Sequence, residues 1–353
     1  MKRQNVLMVW DRMGDYHRAR WHATRTLLND RSVFAADLGG GDNLYSWSDT
    51  SEDMHFKLSH RNPAKFDLGR IRKFIRLLKS KDIGYVCIAG YGRPEYILFL
   101  VYSRLTNRRV LLFAESWYPS SNLVDKFKSA FLNWCCNAFL VSGERAKDHF
   151  VNRLKVTEQK IRIGYSVVDN AHFASSITAR PKTVLCIGRF APEKNIETMI
   201  RAFLNSMLPG SGWNLMIVGG GQLKETFSKL AIDKPISLLD WQSYSELPKV
   251  YRQACLFVLP STFEPWGLVV NEAMAAGLPV VISNEVGCAP DLLRPTINGW
   301  TFPATDETSL TNIFDALVTA SPDLVAMGQQ SRSIISSYSP ALFAANLKAL
   351  LLQ

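Results

Sequence analysis

Short apolar runs bounded by turn residues recur along the chain, and the stretches between them carry apolar residues at helical spacing. In the first half "NVLMVW" (5–10), "VFAADL" (33–38), "IGYVCIAG" (83–90), "RRVLLFAES" (108–116), "NAFLVSG" (137–143) and "KIRIGYS" (160–166) predict strands. In the second half "TVLCIG" (183–188), "NLMIVGG" (214–220), "ISLLDW" (236–241), "LFVLPS" (256–261), "PVVIS" (279–283) and "GWTFP" (299–303) do the same. Helices are predicted at 195–207, 222–231, 244–254 and 265–277. Alternation of strands with helices is the pattern of a parallel sheet covered on both faces. The segment "NAHFASSITARPKT" (170–183) loses periodicity, and "SPALFAANLKALLLQ" (339–353) is an amphipathic helix with no strand left to serve.

These patterns predict an α/β protein of two doubly wound, Rossmann-like domains: 1–170, then a linker over 171–182, then 183–338. A C-terminal helix over 339–353 is expected to cross back to the first domain. A length of 353 residues agrees with two cores rather than one. Two open parallel sheets bind ligands at the carboxyl ends of their strands, so chemistry is expected in strand-to-helix loops facing a cleft.

Charge is the next constraint. The formal net charge is +10, and it is unevenly placed. Residues 1–170 hold 28 Lys and Arg against 17 Asp and Glu, whereas 171–353 hold 13 against 14. Nucleic acid, an anionic membrane surface or an acidic small molecule would each suit such a balance, but no basic run interleaved with aromatics supports nucleic acid. The cysteines Cys87, Cys135, Cys136, Cys186, Cys255 and Cys288 lie mostly in apolar runs without C-x-x-C spacing, so they read as reduced core residues. The N-terminal apolar run is too short for a signal peptide and no stretch reaches the length of a membrane span, which predicts a cytoplasmic protein.

Four segments carry candidate chemistry. "CIGRFAPEKN" (186–195) puts Arg189 and Lys194 in a strand-to-helix loop, where two cations suit a diphosphate or are simply solvated. "IVGGGQLKETF" (217–227) places Gly219 and Gly220 where backbone can approach a ligand or make a tight turn. "MVWDRMGDYHRARWHATRTLL" (8–28) runs strand, Gly14 loop, helix, with Asp15 and His17 at the helix start. In "STFEPWGLVVNEAMAAGLPVV" (261–281), Glu264 is expected directly after a strand with Pro265 opening a helix, and Glu272 about two turns further on. Carboxylates in so apolar a helix need partners: sugar hydroxyls, a cap or an ion pair. The N–H groups of Trp266, Gly267 and Leu268 at the helix start favour a phosphate.

"IGRFAPEKN", "IVGGGQL" and "FEPWGLVVNEAMAAGLPVV" together resemble the donor-domain motifs of glycosyltransferase family 4, retaining enzymes of the two-domain GT-B fold. "IRIGYSVVDNAHF" (161–173) is similar to the segment closing that family's N-terminal domain. "AESWYPSSNLVDKFKSAFLNWCCNAFLVSGERAKDHF" resembles a bacterial polysaccharide-type subgroup in the acceptor half. The resemblance covers most of 80–320. It implies that Arg189 and Lys194 bind a donor diphosphate, Glu264 holds the transferred sugar, Glu272 contacts the ribose and Gly14 lies near the phosphates. Many members carry a His after the fourth strand of the first domain, where this chain has "FAES". Glu115 or Ser116 is the candidate replacement, beside Asp15 and His17 on the acceptor side.

The sequence thus predicts a retaining transferase that moves a sugar from a nucleotide diphosphate donor to a hydroxyl acceptor, with no cofactor and no required metal. A lipid-linked saccharide of bacterial polysaccharide synthesis is the expected acceptor, with a soluble saccharide as the alternative. A nucleotide-sugar 2-epimerase shares the fold and is the rival enzyme; a sugar-nucleotide sensor is the non-enzymatic one. "RIRKFIRLLKSKD" (70–82) presents Arg70, Arg72, Lys73, Arg76, Lys79 and Lys81 around an apolar stripe. With Arg104, Arg108, Arg109, Lys126 and Lys128 in the same half, it predicts peripheral attachment to the inner, anionic face of the cytoplasmic membrane.

Overall fold

The computed structural model describes residues 5–39, 52–61, 65–176 and 180–353. Two compact units emerge: one from the chain up to Val168 together with Ser339–Gln353, the other from Asp169–Tyr338. The first contains strands β1 (Asn5–Trp10), β2 (Val33–Asp37), β3 (His55–Lys57), β4 (Ile83–Ala89), β5 (Arg109–Ala114), β6 (Ala138–Val141) and β7 (Ile161–Ile163). Its helices are α1 (Asp15–Leu27), α2 (Leu68–Ser80), α3 (Pro94–Leu105), α4 (Asn122–Cys135) and α5 (Glu144–Asp148). The strands pair in parallel in the order β3-β2-β1-β4-β5-β6-β7. Because crossovers between parallel strands are right-handed, the reversal at β1/β4 puts α1 on one face and α2, α3 and α4 side by side on the other.

The residues dictate this arrangement. Val6 to Trp10 of β1 and all of β2 and β6 are buried, as expected for strands covered on both faces. Leu7 and Val9 of β1, Phe34 and Ala36 of β2, and Phe139 and Val141 of β6 share one core with Phe74, Leu77 and Leu78 of α2, Phe99 and Leu100 of α3 and Leu132 of α4. Phe74 stacks on Phe99 with ring centroids 4.0 Å apart, fixing α2 against α3.

The expectation that Arg70 faces solvent is corrected here: the residue is fully buried. Its guanidinium donates to the carbonyls of Leu38 (3.0 Å), Lys65 (2.6 Å) and Arg61 (3.0 Å) and pairs with Glu95 at 2.8 Å. A planar fork with five N–H groups can serve several acceptors at once, which an ammonium cannot do in that geometry. Glu95 Oε1 also accepts from the Asp67 N–H at 3.2 Å, so the pair ties the entry to α2 to the first turn of α3.

The second unit contains β8 (Thr183–Ile187), β9 (Asn214–Val218), β10 (Ile236–Leu239), β11 (Leu256–Leu259), β12 (Val280–Ser283) and β13 (Gly299–Phe302), in the parallel order β10-β9-β8-β11-β12-β13. Its helices are α6 (Asn170–Phe173), α7 (Ile196–Asn205), α8 (Lys224–Ala231), α9 (Leu247–Arg252), α10 (Leu268–Ala275), α11 (Ala289–Leu292), α12 (Glu307–Thr319) and α13 (Leu324–Ile335). All twelve longer runs read from the sequence as strands contain strands. The edge strand β3 and helices α11, α12 and α13 add to that reading. Part of the stretch expected as linker forms α6, and its residues 177–179 lie outside the described residues.

The last helix, α14 (Pro340–Leu352), packs against α1, β6 and β7. Ser339 caps it by accepting from the Leu342 N–H, and Pro340 opens it where no N–H is needed. Asn346 Nδ2 donates to Ile163 O at 2.7 Å, and Phe343 meets the Phe113 ring edge-on at 5.4 Å. The C-terminal helix therefore belongs to the first unit, as the missing strand suggested. All six cysteines are free thiols, and no helix among the described residues is long and apolar enough to cross a membrane.

Removing one partner of a buried ion pair leaves the other charge uncompensated and costs about 3–5 kcal/mol. Glu95→Ala should lower the stability of the first unit by that order in urea unfolding. A loss below about 1 kcal/mol would show that the carbonyls around Arg70 suffice without the carboxylate.

Candidate functional site

In the second unit the chain leaves β8 for β9 and β10 on one side and then returns to build β11, β12 and β13 on the other. The reversal lies between β8 and β11, the kind of place where open α/β sheets bind ligands beyond the carboxyl ends of their strands. Three loops leave adjacent strands here: 188–195 after β8, 219–223 after β9 and 260–267 after β11.

Backbone contacts lock these loops together. Phe190 N–H donates to Gly220 O at 2.8 Å, Leu223 N–H to Phe190 O at 3.0 Å, and Thr262 N–H to Glu193 O at 2.9 Å. Glycine makes the first contact possible. Gly219 has φ +151°, and a Cβ there would lie 1.9 Å from Gly188 O. Asn195 closes the other side: at φ 53° it caps α7 and donates to Pro260 O (3.1 Å) and Ala304 O (2.7 Å).

Arg189 and Lys194 stand on the loop so fixed. Arg189 is exposed and bonds Glu193 at 2.9 Å. Lys194 donates to Glu264 Oε2, in a pair only 16% and 13% exposed. The two cations and Glu264, read from separate motifs, are thus brought to one edge of the sheet. Gly220 approaches the indole of Trp241, with a Cβ there reaching Nε1 at 3.1 Å.

The helix after β11 differs from expectation. Pro265 does not open it; Gly267 does, as an N-cap at φ 98°, and Leu268 is the first helical residue. Glu264 lies outside the helix, bridged to Val286 and with its carbonyl accepting from Gly287 N–H at 2.9 Å. Glu272 is therefore about one turn into α10, and Glu264 does not share that helix with it. The sequence shows no sign of the Val286 contact that holds Glu264 back from the helix. Trp266 is buried, its indole N–H donating to Asn271 Oδ1 at 2.9 Å. Glu272 is fully buried and accepts from the Tyr251 hydroxyl at 2.8 Å. Tyr251, Trp241 and Asn195 are neighbours of the site that motif reading did not pick out. Asn195 ends the segment 186–195 and Trp241 the run 236–241, whereas Tyr251, on α9, stands in none of the four segments.

In the first unit the reversal lies between β1 and β4. Gly14 caps α1 in an extended conformation, and its N–H donates to His17 Nδ1 at 3.2 Å. Burial pushes the His17 pKa down to about 3, with the charges of Arg20 and Arg18 acting in the same direction against a backbone bond to Arg12. The ring is neutral at pH 7, so with Nδ1 accepting, Nε2 carries the proton. Asp15 pairs with Arg18 at 3.5 Å.

Glu115 and Ser116 instead line a cavity of about 410 Å³ at the ends of β4 and β5, with Gly90, Tyr91, Lys128 and Tyr165 among its other walls. Glu115 Oε1 accepts from Ser166 Oγ at 2.6 Å. Lys128, on α4, lies 5.9 Å from the centre of the Tyr91 ring. The four acceptor-side candidates therefore fall into two groups, Asp15 and His17 after β1, and Glu115 and Ser116 after β5.

Residues 167–334 match the family described as glycosyl transferases group 1. An uncharacterised glycosyltransferase of Methanocaldococcus jannaschii is 28% identical over 263 residues, 72% of this chain and 66% of that protein. A UDP-Gal:alpha-D-GlcNAc-diphosphoundecaprenol alpha-1,3-galactosyltransferase of Escherichia coli is 28% identical over 229 residues, 58% of this chain and 57% of that one. In both, the matched segment spans less than two thirds of the relative. The Anabaena protein HepE, solved in complex with UDP, has the same fold with a TM-score of 0.76 and 14% identity over 99% of both chains. The α/β plan expected from the GT-B resemblance is the one observed.

Gly219→Ala should strain the loop by about 1–3 kcal/mol or more, because φ and the Gly188 carbonyl both oppose a side chain. Gly210→Ala, where a Cβ meets nothing within 4 Å, serves as control and should stay within about 0.5 kcal/mol of wild type. Equal unfolding midpoints for the two variants would remove Gly219 from the framework of the site.

Proposed function

We propose that this chain is a retaining glycosyltransferase that uses a nucleotide diphosphate sugar and a hydroxyl acceptor and needs no metal ion. The observation that carries the reading is the convergence of Arg189, Lys194, Gly219, Gly220 and Glu264 on one edge of the second unit. The group 1 match over 167–334 supports it, as does the UDP held by a protein of the same fold.

In the proposed reaction the bond from the anomeric carbon to the diphosphate breaks, and the acceptor oxygen bonds that carbon from the same face. The acceptor proton passes to the leaving phosphate, so no protein nucleophile is needed. Arg189 and Lys194 offset the charge growing on the diphosphate, the task a divalent ion has elsewhere. Lys194 already orients Glu264, which holds the sugar and stabilises positive charge at its anomeric carbon. Glu272 is assigned to the ribose; since Tyr251 holds it in the free protein, that contact requires the Tyr251 bond to be shared or exchanged. Leu268 and the helix start behind Gly267 face the phosphates with N–H groups.

The acceptor is assigned as a lipid-linked saccharide of bacterial polysaccharide synthesis. A relative whose name specifies a diphosphoundecaprenol acceptor favours this over a soluble saccharide. The cavity holding Glu115, Ser116 and Lys128 is the acceptor-side candidate. The cations of α2 would draw the protein to the inner face of the cytoplasmic membrane, where each contributes about 1 kcal/mol near an anionic surface.

Product analysis tests the reading. With donor and acceptor present, a glycoside of retained anomeric configuration should form, and EDTA should leave its rate largely intact. Glu264→Gln should slow transfer by about 10²–10³ with little change in affinity for the bare nucleotide. An epimerised sugar from donor alone would replace the transferase with an epimerase, and loss of activity on chelation, restored by magnesium or manganese, would overturn the metal-free step.

A further inference from the structure

Helices α2, α3 and α4 cover one face of the first sheet, and their inner sides merge into a single core. Their outer sides differ from one another in a regular way. On α2, Arg72, Arg76 and Lys79 stand at i, i+4 and i+7, opposite the buried Phe74 and Leu78. On α3 the outer positions are Ile97, Leu98 and Leu105, the last 70% exposed. On α4 they are Leu123, Phe127, Ala130 and Trp134, which fall within an arc of about 60° at 100° per residue. That arc lies opposite the buried Leu132, and Phe127 is 70% exposed.

An amphipathic surface helix normally turns polar groups outward. α3 and α4 instead turn several apolar side chains outward, Leu105, Phe127 and Trp134 among them. The helices adjoin, since Arg104 Nε near the end of α3 donates to the Trp134 carbonyl at 2.9 Å. The two apolar stripes therefore form one patch, bordered by the cations of α2 on one side and by Lys126 on α4.

The acidic residues complete the pattern. The three helices contain two, Glu95 and Asp125, and both are buried. Glu95 pairs with Arg70 and Asp125 with Arg153. No carboxylate on these helices faces outward. A second copy docking face to face about a two-fold axis would bring α2 cations together with no acid from these helices to meet them. An anionic bilayer supplies both complements: an apolar layer for Phe, Leu and Trp, and headgroups for the cations beside them.

We propose that the outer faces of α3 and α4 insert into the interfacial layer of an anionic membrane, with α2 flanking them at the headgroups. This deepens the membrane reading given above and rests on it, but moves the main contact from the charge of α2 to the apolar side chains beside it. Lys128 gives the geometry a further consequence: α4 presents Phe127 outward while its neighbour lines the cavity with Glu115 and Ser116. A membrane-embedded acceptor would thus present its polar end beside the cavity.

The test is sedimentation of the full chain with vesicles of phosphatidylcholine and phosphatidylglycerol, and with phosphatidylcholine alone. Leu123→Ser, Phe127→Ser and Trp134→Ser combined should reduce binding to the mixed vesicles by about tenfold or more at both low and high salt. The unfolding midpoint and nucleoside diphosphate affinity should be unchanged, because all three side chains are exposed. Arg72→Gln, Arg76→Gln and Lys79→Gln combined should remove mainly the preference for anionic lipid. If the apolar variant sediments like wild type, the insertion is overturned; if the charge variant alone loses binding, attraction by α2 stands without it. Vesicle-free dimerisation that disappears in the apolar variant, with no vesicle binding by wild type, would assign the patch to a second copy and overturn the proposal.

Discussion

The second unit depends on a close backbone approach between two loops. Phe190 and Gly220 bond across the gap between the chain leaving β8 and the chain leaving β9, and Gly219 permits it by having no Cβ to strike Gly188 O. This approach fixes the entry to the 188–195 loop. The Thr262–Glu193 bond and the Asn195 amide fix its exit against the chain after β11. Between those anchors lie Arg189 and Lys194, so two long, rotamer-rich cations are mounted on backbone that has little freedom left. Lys194 loses further freedom to Glu264. Ordering entropy is thereby spent in folding, and less remains to be lost when an anion arrives.

The first unit solves a different problem. Its helices α2 and α3 meet through a buried guanidinium whose partners come from Leu38, Arg61, Lys65 and Glu95. The pair holds inward the one carboxylate of α3, as Arg153 does for that of α4. Internal pairing and external charge are therefore linked: by burying both acids, the fold leaves the outer faces of α2–α4 without a carboxylate. The same helices define the core and the character of the surface.

Much of this was legible in the sequence, and the misses have physical reasons. β2, β6, β8, β11 and β12 are largely apolar runs buried along their whole length, and β1 is buried at all but its first residue. β3 is three half-buried residues at a sheet edge, too short and too polar to register. Helix α12 did carry a signal, the Asp306 cap with Leu310, Phe314 and Leu317 at i, i+4 and i+7, but it lies beyond the motifs that drew the reading. Arg70 looked like one more surface cation because of its charge, although it stands one and two turns before the buried Phe74 and Leu77; what the local pattern could not show is that Leu38 and Glu95, 32 and 25 residues away, help satisfy a guanidinium there. The start of α10 moved from Pro265 to Leu268 for the same reason: a contact with Val286 holds Glu264 outside the helix. The grouping of Arg189, Lys194 and Glu264 was legible because strand-to-helix loops of adjacent parallel strands share one edge. The Tyr251–Glu272 bond was not, since α9 and α10 come together only in the folded unit.

Calorimetric titration of the full chain with UDP, GDP, ADP and dTDP is the most direct measurement of whether the edge of β8, β9 and β11 is a nucleoside diphosphate site. One of the four should bind, and Lys194→Met or Arg189→Met should weaken it by about tenfold or more, the loss expected for a hydrogen bond to a charged group. Binding of none of them, or affinity unchanged in both variants, would contradict the assignment.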